Sequence, residues 1–198
     1  MDMKESELSP PFRLAITYAR RDLRDAFALI LKFDNRIADI VGRSTEPMIG
    51  QMKIAWWYDA IGREATLRPS GEPILQELNK LDVDGVAVAM QQLLDAWGLL
   101  LAEDDWLPGT VQSFAQARSE AVFGSYARWI GGNPDFAIFG EQWASADLRQ
   151  RFGARVEGDF PLIANLPRHR KWRPLTILAL AANRPNGVRM IWHALTGR

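Results

Sequence analysis

Apolar residues recur at intervals of three and four along almost the whole chain, and stretches that alternate apolar with polar are missing. A period near 3.6 lays one side of a helix against a core, whereas a strand needs a period of two. The clearest stripe is Leu23, Phe27, Ile30, Leu31, Ile37 and Val41, interrupted by Asp34. Ser9 ahead of Pro10 and Pro11 reads as the entry to an earlier helix, because proline is tolerated in a first turn. Gly42 is placed to end the striped helix, and Ser44 and Thr45 to cap the next. That third helix would have Pro47 in its first turn and turn Ile49, Met52, Trp56, Trp57 and Ala60 toward a core.

Further along, Asp82 and Asp84 precede a long helix bearing Val86, Met90, Leu93, Leu94, Trp97, Leu100 and Leu101. Pro108, Gly109 and Thr110 open another, which carries Phe114, Ala121 and Trp129 as far as Gly131 and Gly132. Pro134 opens the next, ending near Gly153, and 153–161 reads as an irregular loop. Leu175, Ile177, Leu178 and Leu180 form a short apolar helix, broken at Pro185, Asn186 and Gly187, with a last short helix after it. The pattern predicts an all-α, single-domain bundle of about eight helices over residues 10–198, behind a flexible N-terminus at 1–9. The linkers are short and no repeat is present.

Composition limits the function classes. With 47% hydrophobic residues in 198, the chain can bury a sizeable core unaided. It has no cysteine, so disulfides, thiolate zinc sites and cysteine nucleophiles are excluded. Basic and acidic residues number 24 each, which offers no global attraction for nucleic acid. The polar, acidic start lacks the form of a signal peptide, and no apolar run approaches the roughly 18 residues of a membrane span. A cytoplasmic location is the expectation.

Few residues suggest chemistry. Asp34 and Asp39 point about 140° apart on one helix, poorly placed to share a metal, so capping or surface pairing with Arg36 and Arg43 is the expectation. Glu103, Asp104 and Asp105 read as a solvated turn after a helix end, since acids there oppose the dipole. Arg168, Arg170, Lys171 and Arg173, with His169 and Trp172 among them, form the one dense basic cluster. It is a candidate for anions: a diphosphate, a phospholipid headgroup or an acidic protein face. No H-E-x-x-H, G-x-S-x-G, G-x-x-x-x-G-K or G-x-G-x-x-G motif occurs. The eight tryptophans sit at helical spacing and read as packing residues.

Between Leu23 and Ile61 the chain reads Leu-Arg-Asp-Ala-Phe-Ala, Lys-Phe-Asp-Asn-Arg-Ile-Ala-Asp-Ile-Val, Ser-Thr-Glu-Pro and Gln-Met-Lys-Ile-Ala-Trp-Trp-Tyr-Asp-Ala-Ile. This resembles the squalene and phytoene synthase family, where an arginine-led helix meets an acidic motif and a Trp-Trp-x-Asp-Ala helix follows. The resemblance implies an isoprenoid-synthase-like fold. It also implies magnesium held by two facing D-x-x-x-D motifs, with allylic diphosphates as substrates. Residues at i and i+4 share a helix face, so paired carboxylates can reach the same ions.

This chain departs from that pattern. The first motif falls on Ala38 and Gly42, leaving Asp39 alone, and in the second Asp147 has no acid four residues later. The resemblance therefore implies a degenerate, truncated member. Its residual motif and pocket candidates are Arg24, Asn35, Asp39, Trp57 and Asp147. No metal site and no cofactor are expected; magnesium enters only if the chain is an active prenyltransferase. The family includes non-catalytic members, among them a respiratory complex I assembly factor, so a scaffold with a protein partner leads. A prenyl-diphosphate or lipid-binding module, with peripheral membrane contact, and an active prenyltransferase remain as alternatives.

Overall fold

Proline starts four of the helices, Pro10, Pro47, Pro73 and Pro108 each standing in a first turn. The first amides of a helix have no acceptor within it, so the missing N–H costs nothing there. The computed structural model describes residues 8–101, 106–132, 137–156 and 169–183. Among them lie α1 (Pro10–Tyr18), α2 (Arg24–Arg43), α3 (Pro47–Gly62), α4 (Pro73–Leu78), α5 (Val86–Gly98), α6 (Pro108–Ser119), α7 (Ser125–Trp129), α8 (Ala137–Phe152) and α9 (Arg173–Asn183). No strand occurs among the described residues; a single bridge joins Trp106 and Val156. The all-α fold expected from the periodicity is what is seen. The expected loose start lies largely outside the described residues, as do the last short helix and the loop beyond 156.

Helix α2 is the spine. Its stripe is buried as expected, and Leu29, Phe33, Asp34 and Ala38 are buried beside it. It packs on α1, α3, α4 and α5, while α6 lies along α8, and α8 and α1 both meet α9. Helices α6 and α8 approach closely at Gly140, where a side chain would collide with Ser119 and Phe123. Residues Glu120–Gly124 form a π-helical turn, so α6 and α7 run as one continuous helix with a wide turn between them. Tyr126, just past that turn, is buried against Phe27 at 4.7 Å and accepts a hydrogen bond from the Arg20 amide at 3.1 Å.

Helix α3 corrects the sequence reading. Its buried face is the narrow stripe Gly50, Ile54, Trp57, Ala60 and Ile61. Met48, Ile49, Met52 and Trp56 are exposed instead, Met48 and Met52 at 70% and 67%. A helix apolar on most sides carries no periodic signal for which side faces in. The expected caps also differ. Helix α2 runs one residue past Gly42, and Ser44 donates to the Ile40 carbonyl at 2.7 Å rather than capping α3. Gly85, at φ +81°, makes the turn into α5, and the Asp84 backbone carbonyl accepts a bond from Trp129 Nε1 at 2.8 Å. None of the described helices is long and apolar enough to cross a membrane.

Candidate functional site

The interior between α2, α5, α6 and α8 contains a fully buried arginine. Arg118 lies on α6, one turn after Phe114, and only its place among apolar neighbours marks it in the chain. Its guanidinium grips Asp34 of α2 with two bonds, Nε to Oδ1 at 3.0 Å and Nη2 to Oδ2 at 2.6 Å. Nη2 also donates to Asp147 Oδ2 of α8 at 2.7 Å, and Nη1 to the Ala144 carbonyl at 3.4 Å. Trp97 of α5 donates its indole N–H to Asp34 Oδ1 at 2.8 Å. The guanidinium carbon lies 4.2 Å from the Trp143 ring centroid, 5.1 Å from Trp97 and 5.7 Å from Phe114.

The network continues along α8. Arg151, one turn after Asp147, donates to Asp147 Oδ2 at 2.9 Å and to Asn35 Oδ1 at 2.8 Å. Two carboxylates therefore meet two guanidinium groups and balance in charge. Burial alone would lower the Arg118 pKa, but the charges of Asp34 and Asp147 outweigh it and lift it above the ordinary arginine value. Burial likewise pushes Asp147 up, while the charges of Arg118 and Arg151 and their hydrogen bonds hold it below the usual carboxylate range.

These distances correct the expectation for Asp34, which is buried and ion-paired rather than a surface group. Its period on α2 put it on the apolar stripe, but no local signal named a partner 84 residues away. Asn35 and Asp147 enter the same network. Asp39 does not: it stays on Arg43, at 3.7 Å. Arg24 is exposed and donates to the carbonyls of Thr17 and Ala19, closing the end of α1. Trp57 packs edge-on against Phe33, with centroids 5.0 Å apart. Of the basic cluster, Arg170 and Lys171 are exposed, Lys171 lies over Trp172, and Arg173 lies 6.0 Å from the Tyr18 ring centroid. Arg168, Glu103, Asp104 and Asp105 lie outside the described residues.

The face of α2 where the first acidic motif would stand is closed. Ala38 is buried, and a side chain at Gly42 would meet the Phe152 ring of α8 at 2.6 Å. The family model for squalene/phytoene synthase matches residues 7–98, which is α1 through α5. Over that span, a little under half of its length, the chain is similar to the squalene/phytoene synthase family. No curated protein and no solved structure matches it. The matched span contributes Asp34, Asn35 and Trp97, whereas Arg118, Asp147 and Arg151 come from beyond it.

Magnesium, which the family resemblance implies, does not fit these residues. Divalent magnesium needs free carboxylate oxygens and room for waters. Here the oxygens of Asp34 and the Oδ2 of Asp147 are already bonded to guanidinium groups, and Asp39 lies on Arg43. Among the described residues, no three acidic or histidine side chains come together in a way that could hold a metal.

Proposed function

We propose that this chain is a non-catalytic relative of the squalene and phytoene synthases that acts as a protein-binding scaffold. The observation that carries the reading is Arg118, whose guanidinium occupies the carboxylates facing each other from α2 and α8. Ionising an allylic diphosphate requires concentrated positive charge at the leaving group. An interior in which each guanidinium is matched by a carboxylate has none to spare. On this reading the protein needs no magnesium and no other cofactor. The exposed apolar row on α3, Met48, Ile49, Met52 and Trp56, supports a role in contact with other proteins.

The test is thermal unfolding with magnesium and a non-hydrolysable farnesyl diphosphate analogue, added singly and together, beside a turnover assay with farnesyl diphosphate. The scaffold reading expects no turnover and an unchanged midpoint. A ligand at about 100 times its dissociation constant adds about 2.7 kcal/mol, a shift of several degrees for a domain of this length. A shift that requires magnesium, or measurable turnover, overturns the reading in favour of a prenyltransferase. A shift without magnesium overturns it in favour of a prenyl-diphosphate or lipid-binding module.

A further inference from the structure

We infer that the space between α2, α5, α6 and α8 is a guanidinium receptor, which the chain fills with its own Arg118. The walls are specific to that ion. All three guanidinium nitrogens are engaged: Nε and Nη2 by the carboxylate fork of Asp34, Nη2 also by Asp147, and Nη1 by the Ala144 carbonyl. The acceptors lie along the edge of the ion, and the rings of Trp97, Trp143 and Phe114 surround its carbon. A planar, delocalised, weakly hydrated cation uses both kinds of wall, with in-plane donors for the fork and a π-face for the rings. An ammonium is a compact, strongly hydrated point charge with no fork to present. Magnesium would gain nothing from the aromatic walls, which offer no oxygen to that side of its octahedral shell. The receptor thus takes alkylguanidinium ions and refuses divalent metals, even when Arg118 is removed. The inference rests on this geometry and stands apart from whether the protein is a scaffold.

Truncation provides the test. Arg118→Ala removes the side chain from Cγ outward, and ethylguanidinium has the same atoms as the part removed. The thermal midpoint of the full-length variant is followed by circular dichroism in millimolar ethylguanidinium chloride. Ethylammonium chloride, magnesium chloride and sodium chloride at matched ionic strength serve as comparisons, and the wild-type chain is run in each. The expected result is a saturable rise of the variant's midpoint, several degrees at about 100 times the dissociation constant, with ethylguanidinium alone. The wild-type midpoint should respond to none of the four salts, and adding Asp34→Asn should abolish the variant's response.

A variant that unfolds and is not restored by ethylguanidinium overturns the proposal, and so does an equal rise with ethylammonium. A rise with magnesium also overturns it, by showing that the carboxylates prefer a metal. Arg118→Lys supplies an independent check, because it keeps the charge and loses the fork. Its midpoint should lie nearer that of Arg118→Ala than that of the wild type, and a wild-type midpoint would refute the selectivity.

Discussion

Asp34→Asn changes one charge at nearly constant volume, in a position where the structure fixes the consequences. Asp34 accepts three hydrogen bonds, from Trp97 Nε1, Arg118 Nε and Arg118 Nη2. The amide oxygen can keep the bonds to Trp97 and Nε, but the amide nitrogen then faces Nη2, donor against donor. Arg118 is left fully buried with Asp147 as its remaining counter-charge. Breaking a buried pair by removing one partner costs about 3–5 kcal/mol, because the other charge stays behind uncompensated. Asp147 retains part of the compensation, so the lower end, about 3 kcal/mol, is expected. At about 2–4 °C per kcal/mol for a chain of this size, the midpoint falls by about 6–12 °C. Scanning calorimetry on wild type and variant at neutral pH measures it. Adding Arg118→Met removes the stranded charge, so the double variant should recover part of the loss. A midpoint within about 2 °C of wild type for Asp34→Asn, or strict additivity in the double variant, refutes the assignment of Asp34 and Arg118 as one coupled unit.

Three further outcomes rest on the same packing. Asp147 is held below the usual carboxylate range, so its contribution is fully present above about pH 4, the ordinary aspartate value, and is lost as pH falls below it; acid unfolding of Asp147→Asn should therefore show a shallower decline there than the wild type. Gly42→Ala forces a methyl group into the Phe152 ring, at 2.6 Å from Cε1, and should cost about 1–3 kcal/mol by urea unfolding. Met48→Ser and Met52→Ser on α3 should shift stability by no more than about 0.5 kcal/mol, because both side chains are mostly exposed; a larger loss would mean that α3 packs on something in the folded chain.

How legible these features were depends on how far apart in the chain their causes lie. Proline in first turns and the stripe of α2 are local, and they place α1, α2 and α6 correctly. The buried side of α3 is not local. Gly50 marks it by lying against Leu101, and Trp57 by lying against Phe33, contacts that no spacing within α3 reports. The ionic centre is less local still. Asp34 and Arg118 each look like a polar intrusion on an apolar helix face, and only the juxtaposition of α2 with α6 shows that each explains the other. Asp147 and Asn35 could be singled out from the family resemblance, but as residual motif and pocket residues. The structure gives them guanidinium partners instead.

The wide turn at Glu120–Gly124 sets how the chain tolerates insertions and deletions. Each residue of an α-helix advances the azimuth by about 100°, so losing one residue from a regular helix re-aims everything beyond it. The π turn holds one residue more than an α turn would, and it lies between Arg118 on one side and Tyr126 on the other. Deleting a residue there would convert the wide turn into an ordinary α turn of nearly the same sweep, so Tyr126 would keep facing Phe27 and the Arg20 amide while Arg118 stays in place. The two ends of this long helix thus keep their phase through the loss of one residue at the wide turn, with the ionic centre anchored to the first and the junction of α1 and α2 to the second.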